Sequence, residues 1–244
     1  MRRCAKSATF GRYYKSMEKV LRIGTRDSEL AMWQAKKVQS LLENLGYTTT
    51  LVPVKSQGDL TLDVPLYEMG ITGVFTKVLD VAMLQGHIDI AVHSIKDVPT
   101  MLPKGIVKGA VLERANVQDV LVHKGDLDFL STAEATIATG SLRRKAQWLR
   151  RYPTHTVENL RGNIATRLHK LQEQPWQGAI FAAAALERLQ HDNLQTLTLD
   201  WMTPAPAQGA IMAVALANDT YALEALAQIN SPKADAETDI ERRF

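Results

Sequence analysis

The sequence predicts an α/β protein of two lobes facing each other across a cleft, and three observations carry this. Short β-rich runs alternate with helical stripes through brief joins, the pattern of mostly parallel sheets covered by helices. That pattern lapses over residues 116–124 and then restarts. Polar and cationic residues collect where the predicted strands give way to helices, which is the edge where open α/β sheets place their ligands.

The first strand covers residues 20–24 and runs into Thr25-Arg26-Asp27-Ser28. A helix is predicted over 29–44, because Leu30, Trp33, Val38, Leu41, Leu42 and Leu45 recur on one three-to-four-residue stripe and Gly46 ends it. Residues 47–55 are β-rich, and 58–73 read as a loop punctuated by Gly, Pro and Asp. A second helix over 74–85 turns Phe75, Val78, Leu79, Ala82 and Met83 inward, followed by a strand over 88–93 and β-like sequence over 102–112. After the restart come a strand at 136–139, a helix at 142–151, a strand at 155–160 and a helix at 164–173. A strand at 178–181 and a helix at 182–190 follow. Pro204-Ala205-Pro206 breaks the regularity, and a strand over 209–216 and a helix over 220–229 close the pattern. Two-lobed folds often cross over twice, which lets the segment after Pro206 complete the first lobe; periodicity alone leaves that open.

A length of 244 residues buries one large core or two ordinary ones. The apolar fraction of 45% and charged fraction of 23% are those of a soluble globular chain. The longest apolar stretch, 179–186, is far short of the roughly 18 residues a membrane span needs, so no membrane association is expected. The net charge of +3 sits in the tail: residues 1–19 hold six basic groups and one acid, and the remaining 225 carry a net −2. Nucleic acid is therefore not an expected partner. The tail, with Met17 just ahead of the first strand, reads as an extension or an early start. An organelle-targeting peptide stays open, and no apolar core marks a secretory signal. The only cysteine, Cys4, makes neither an intramolecular disulfide nor a thiolate cluster, which points to a reducing, cytoplasmic setting. No metal-ligand spacing is present, and no metal is expected.

The candidate site residues fall at strand-to-helix turns. Arg26 and Ser28 follow the first strand; His93, Ser94, Lys96 and Asp97 follow the third; Ser141, Arg143 and Arg144 open the first helix of the second lobe; Arg161 and Arg167 bracket Gly162-Asn163. Helix N-termini offer unpaired N–H groups and a positive dipole end, and guanidinium forks suit carboxylate or phosphate. Singly, each arginine reads as a solvated surface group; together, at equivalent topological positions, they read as a cleft for a small polyanion. Asp97 differs in kind. A carboxylate beside Lys96 in such a cleft either stabilises a substrate cation or moves a proton, or it simply pairs with Lys96 or caps the turn before Pro99. His93 reads as a core or supporting histidine. Gly70 and Gly73 make either a turn or a flap over the cleft, without Walker A spacing.

Six stretches match one family in order: LRIGTRDSELAMWQA (21–35), GVFTK (73–77), DIAVHSIKDVPT (89–100), IATGSLRRKAQ (137–147), LRGNIATRLHKL (160–171) and PAPAQGAI (204–211). They resemble the successive motifs of porphobilinogen deaminases (hydroxymethylbilane synthases) across nearly all of residues 20–244. The resemblance implies two periplasmic-binding-protein-like lobes, the first from 20–116 completed by 207–230 and the second from 117–206. It implies stepwise condensation of four porphobilinogen molecules into a linear tetrapyrrole with release of ammonia, for heme and other porphyrins. By motif match Asp97 is the catalytic aspartate. The resemblance likewise implies that Arg26, Ser28, Lys77, Lys96, Ser141, Arg143, Arg144, Arg161, Arg167 and Arg188 hold the acetate and propionate groups of the dipyrromethane cofactor and the growing chain.

The departures from the family are specific. Glu29 stands where proline is usual and Val78 where glutamate is usual. Residues 231–244 resemble the start of the family's third, α+β domain, whose cysteine anchors dipyrromethane by a thioether. The sequence ends at Phe244 with no matching cysteine, so that domain is expected to be absent and covalent attachment of the cofactor is in doubt. Three readings follow: a synthase family member without its third domain, a catalytically incomplete two-lobed binder of porphobilinogen or another small polycarboxylate, and a solute-binding or sensing protein of shared architecture. A monomer is expected, with association through any surface the absent domain would cover.

Overall fold

The computed structural model describes residues 19–55, 76–132 and 134–243. Two five-stranded sheets form, each from alternating strands and helices. The first lobe starts with β1 (Leu21–Arg26), α1 (Glu29–Asn44), β2 (Thr49–Val54), α2 (Lys77–Leu84), β3 (Ile90–Ser94) and β4 (Ile106–Val111). The second contains β5 (Asp119–His123), β6 (Thr136–Ala138), α3 (Leu142–Arg151), β7 (Thr156–Glu158), α4 (Ile164–Glu173), β8 (Gly178–Ala182), α5 (Ala183–Arg188) and β9 (Thr196–Thr198). Then β10 (Ile211–Leu216), α6 (Thr220–Ala227) and α7 (Pro232–Glu241) follow.

The sheet orders are β2-β1-β3-β10-β4 and β7-β6-β8-β5-β9. Each has the same plan: three parallel strands, then one strand antiparallel to both neighbours. In each sheet that antiparallel strand, β5 or β10, is the one entered directly after the chain crosses between lobes. The expectation of mostly parallel sheets is corrected to this extent, and the reason is the double crossover. A strand arriving from the other lobe has no covering helix before it and lies antiparallel.

The strands bury both faces at period two. Ile211, Ala213 and Ala215 of β10 join Leu21, Ile23, Ile90 and Val92 under α1 and α6, while Met212 and Val214 face Leu79, Met83 and Ala234 of α2 and α7. In the second sheet Val120, Val122, Ala179 and Phe181 pack with Ile164 and Leu171 of α4. Leu121, Ile137 and Ile180 pack with Trp148 of α3.

The two crossing segments meet at Gly209. Its φ is +85°, and a Cβ there would lie 2.6 Å from the Ala115 carbonyl oxygen and 2.9 Å from that of Asn116, so only glycine fits. Ala115 N–H in turn donates to Gly209 O at 3.1 Å.

Some expectations change. Leu30 leaves the α1 stripe and packs on the core of the second lobe, and Leu45 is 47% exposed at the helix end. The places on the buried face go to Gln34 and Ala35. Strands β5 and β9 and helix α7 were not legible as elements. Helix α7, within the stretch resembling a further domain, lies against the first sheet: Lys108 bonds Asp239 at 2.7 Å and also pairs with Asp235, and Arg242 donates to the carbonyls of Ile95, Val98 and Pro99. The basic extension up to residue 18, Cys4, and the predicted flap at Gly70 and Gly73 lie outside the described residues. No helix among the described residues is long and apolar enough to cross a membrane.

Candidate active site

Two of the helices that edge the site begin at side-chain caps. Ser141 Oγ accepts from the Arg144 N–H at 3.4 Å to start α3, and Asn163 Oδ1 accepts from the Thr166 N–H at 2.8 Å to start α4. These caps fix the turns that carry Arg143, Arg144, Arg161 and Arg167. Ser28 stands at the same place before α1 in extended backbone, and its side chain makes no cap bond.

At the end of β3, a short 3₁₀ turn over Ile95–Asp97 aims Lys96 and Asp97 outward. Lys96 Nζ donates to Asp97 Oδ1 at 2.8 Å. The Asp97 side chain keeps 37% of its surface accessible. Burial acts to raise its pKa, but Lys96, and beyond it Arg26 and Arg167, outweigh burial and hold it below the usual carboxylate range. Asp97 is thus ionised at neutral pH, with cations of both lobes acting on it.

Those cations also act on one another. Arg167 is pushed down to about 10, first by burial and then by Arg144, against Asp97 which favours its charge; Arg161 and Arg26 add to the repulsion. Its Nε donates to Gly162 O at 2.7 Å. Arg144 is lowered by burial and by Arg143, with Asp119 and Asp97 opposing. Arg161 is 7% exposed. His93, buried beneath this group, is pushed down to about 4 by burial, with Asp97 raising and Arg26 lowering it. It is a neutral supporting residue near pH 7, as its apolar strand suggested.

The structure therefore brings Arg26, Lys96, Asp97, Arg143, Arg144, Arg161 and Arg167 into one electrostatic group, with Ser28 and Ser141 at the turns that carry them. Two expected members stand apart. Arg188 donates to Gly209 O at 2.6 Å and lies over the Trp33 ring at 5.6 Å, pinning α5 to α1 across the lobes. Lys77 is exposed at the start of α2 and has no hydrogen-bond or ion-pair partner among the described residues.

Two site-side residues went unread in the sequence. Asp119 is fully buried and accepts from Arg143, Arg144 and Gln208. Gln34, 2% exposed, donates to Ser94 Oγ at 2.7 Å. The available signal was a polar residue at an apolar position: Asp119 heads the run DVLV, and Gln34 interrupts an inward stripe.

Residues 21–224 match the family described as "Porphobilinogen deaminase, dipyromethane cofactor binding domain". The chain belongs to the porphobilinogen deaminase family. A probable porphobilinogen deaminase of Methanocaldococcus jannaschii is 43% identical over 225 residues, covering 91% of this chain and 76% of that relative. The porphobilinogen deaminase of Syntrophotalea carbinolica is 41% identical over 229 residues, covering 92% and 73%. By family the chain is an enzyme of tetrapyrrole biosynthesis, and use of dipyrromethane is a property of that family. Its only cysteine, Cys4, lies outside the described residues.

Solved structures of the same architecture are distant in sequence. An ancestral cationic amino acid solute-binding protein superposes with a TM-score of 0.53 at 15% identity, over 92% of this chain and 94% of the other. The periplasmic VFT2 domain of Bordetella pertussis BvgS gives 0.52 at 12% identity, over 92% of each. These establish two periplasmic-binding-protein-like lobes and nothing about the ligand.

Proposed function

We propose that the cleft between the lobes binds porphobilinogen, or another small polycarboxylate of its kind. The observation that carries this is Asp97, one ionised carboxylate held among guanidinium groups from both lobes. Porphobilinogen has the complementary charges: an acetate and a propionate on the pyrrole, and an aminomethyl group that is a cation at neutral pH. Arg26, Arg143, Arg161 and Arg167 suit the carboxylates, with Ser28, Ser141 and Lys96 as further donors. Asp97 suits the ammonium. Arg144 and Arg188 support the site, through Asp119 and through the lobe junction.

Full hydroxymethylbilane synthesis is the second reading, favoured by Asp97 itself. A carboxylate held ionised next to the leaving nitrogen keeps the proton on it until ammonia departs, and then faces the methylene-pyrrole cation that remains. The neutral His93 below adds no competing positive charge. The arginine-rich donor set fits the carboxylates of dipyrromethane, with Arg26, Arg143, Arg161 and Arg167 as its holders. When bound, that group supplies the pyrrole position to which a chain is added.

Calorimetric titration of the 244-residue chain with porphobilinogen, with ammonia and linear tetrapyrrole measured in the same samples, separates the readings. Saturable binding weakened by Arg167→Gln is the expected result. Sustained tetrapyrrole formation would establish the second reading, and no binding by a folded chain would sink both.

A further inference from the structure

Asp119 opens β5, directly after the first crossing between lobes, and its side chain is fully buried. Its Oδ2 accepts from Arg143 at 2.7 Å; its Oδ1 accepts from Arg144 Nε at 3.1 Å, from a second Arg144 nitrogen at 2.7 Å and from Gln208 Nε2 at 2.8 Å. One carboxylate thus sets the direction of two adjacent guanidinium groups and neutralises only one, leaving a positive charge for the cleft. Arg144 is locked further by the Ile180 carbonyl at 3.0 Å, and Arg143 by that of Thr203.

Gln208 sits in the second crossing, between Ala207 at φ 59° and Gly209 at φ 85°. Its Nε2 also donates to Val117 O at 2.7 Å, while its buried Oε1 has no partner. The amide is therefore oriented by two acceptors and not by its own oxygen; flipping it would set oxygen against oxygen. Arg114 holds the Gln208 carbonyl at 3.0 Å and Glu241 holds the Ala207 N–H at 2.7 Å, so this segment is anchored in the first lobe as well.

We propose that Asp119 is a positioning residue for the anion-binding Arg143: it sets Arg143 together with the neighbouring Arg144 and, through Gln208, ties their placement to the second crossing between lobes. The proposal rests on the reading that the cleft binds porphobilinogen. A purely electrostatic role predicts the opposite sign of effect. Removing a negative charge beside two arginines would strengthen attraction for a polyanion, whereas losing their placement weakens it.

The test compares Asp119→Asn and Gln208→Met with the parent 244-residue chain. Porphobilinogen affinity comes from calorimetry, and order of the arginine side chains from their Nε–H resonances, with folding checked by circular dichroism. The expected result for a folded Asp119→Asn is affinity lower by about tenfold, with loss or broadening of the two buried arginine resonances. Gln208→Met keeps every charge and is expected to weaken binding by roughly threefold while shifting the same resonances. Unchanged or tighter binding by folded Asp119→Asn overturns the proposal. If that variant does not fold, unchanged affinity and unshifted resonances in Gln208→Met overturn it instead. A parent chain that binds no porphobilinogen sinks the functional reading, and the arginine resonances then decide the positioning role alone.

Discussion

Lys96 and Asp97 are neighbours in the chain, and the ammonium of one donates to the carboxylate of the other at 2.8 Å. So local a pair could arise on any surface turn and would contribute little to stability at this exposure. What distinguishes it is the company it keeps. Arg26 at the end of β1 and Arg167 on α4 also favour the ionised form of Asp97, so the charge state of this side chain reports on both lobes.

Replacing Lys96 by methionine removes the strongest of the cationic neighbours, and the Asp97 pKa rises. The sign follows directly. Binding of an ammonium by ionised Asp97 persists on acidification down to the folded-state pKa, so a higher pKa moves the loss of affinity to higher pH. Porphobilinogen titrations from about pH 7 down to about pH 4 check this, read as the difference between Lys96→Met and parent because the ligand's own carboxylates titrate nearby. Coincident profiles would show that Lys96 does not control Asp97.

Arg167 carries a conflict between stability and binding. Burial and the nearby Arg144 push it down to about 10, which means that its positive charge is held against resistance. Arg167→Gln relieves that repulsion, so the melting temperature is expected to rise by a few degrees, on the order of 1 kcal/mol. Porphobilinogen affinity is expected to fall by about tenfold, the loss of one charge-assisted contact. A fall in both quantities would make Arg167 a structural residue.

Acid should destabilise the fold through its buried carboxylates. The pKa of Asp119 is lowered because Arg144, Arg143 and Gln208 outweigh burial, that of Asp89 because bonds from Arg22 at 2.7–2.9 Å outweigh burial, and that of Glu241 chiefly by Arg114. Groups with depressed folded pKa values contribute stability that is full above the unfolded value of roughly 4 and is lost as pH falls through the folded values. Asp80 acts the other way: burial raises its pKa, so it favours the folded state as it protonates. Asp97, also held low, joins the first group, and four against one gives a net loss. Urea melts from about pH 6 to about pH 3 should show a falling midpoint below roughly pH 4, and a midpoint that rises there would overturn this assignment.

Much of the fold was legible because it follows from side-chain period. The helices over 29–44, 142–151 and 164–173 lie where the sequence pattern places them. Strands β5 and β9 were not legible: β9 is three residues long with two of them polar, and β5 was hidden by a buried aspartate that belongs to no strand pattern. Of the site, the positions at strand ends were readable, since topology dictates them. Which arginine meets which carboxylate was not, because Asp119 finds Gln208 across 89 residues of chain, and Arg188 turns to a backbone carbonyl at the crossing. Long-range pairing leaves no periodic trace.

Gly140 offers a separate test of how tightly the two cationic turns of the second lobe are set. It lies between β6 and α3, and a Cβ built there would stand 2.5 Å from the Leu160 carbonyl oxygen, a backbone atom next to Arg161. Alanine at this place forces the turn carrying Ser141 and Arg143 away from the turn carrying Arg161, with a stability cost of about 2 kcal/mol. Affinity for porphobilinogen is expected to fall with it. Gly46→Ala is the matched control: its φ of +92° penalises alanine by roughly 1 kcal/mol, yet nothing lies within 4 Å of the added carbon and α1 ends there, remote from the turns. Thermal melts and calorimetry on both variants should show destabilisation in each and weaker binding only in Gly140→Ala. Equal loss of affinity in the two would mean that binding follows global stability, and not the spacing of these turns.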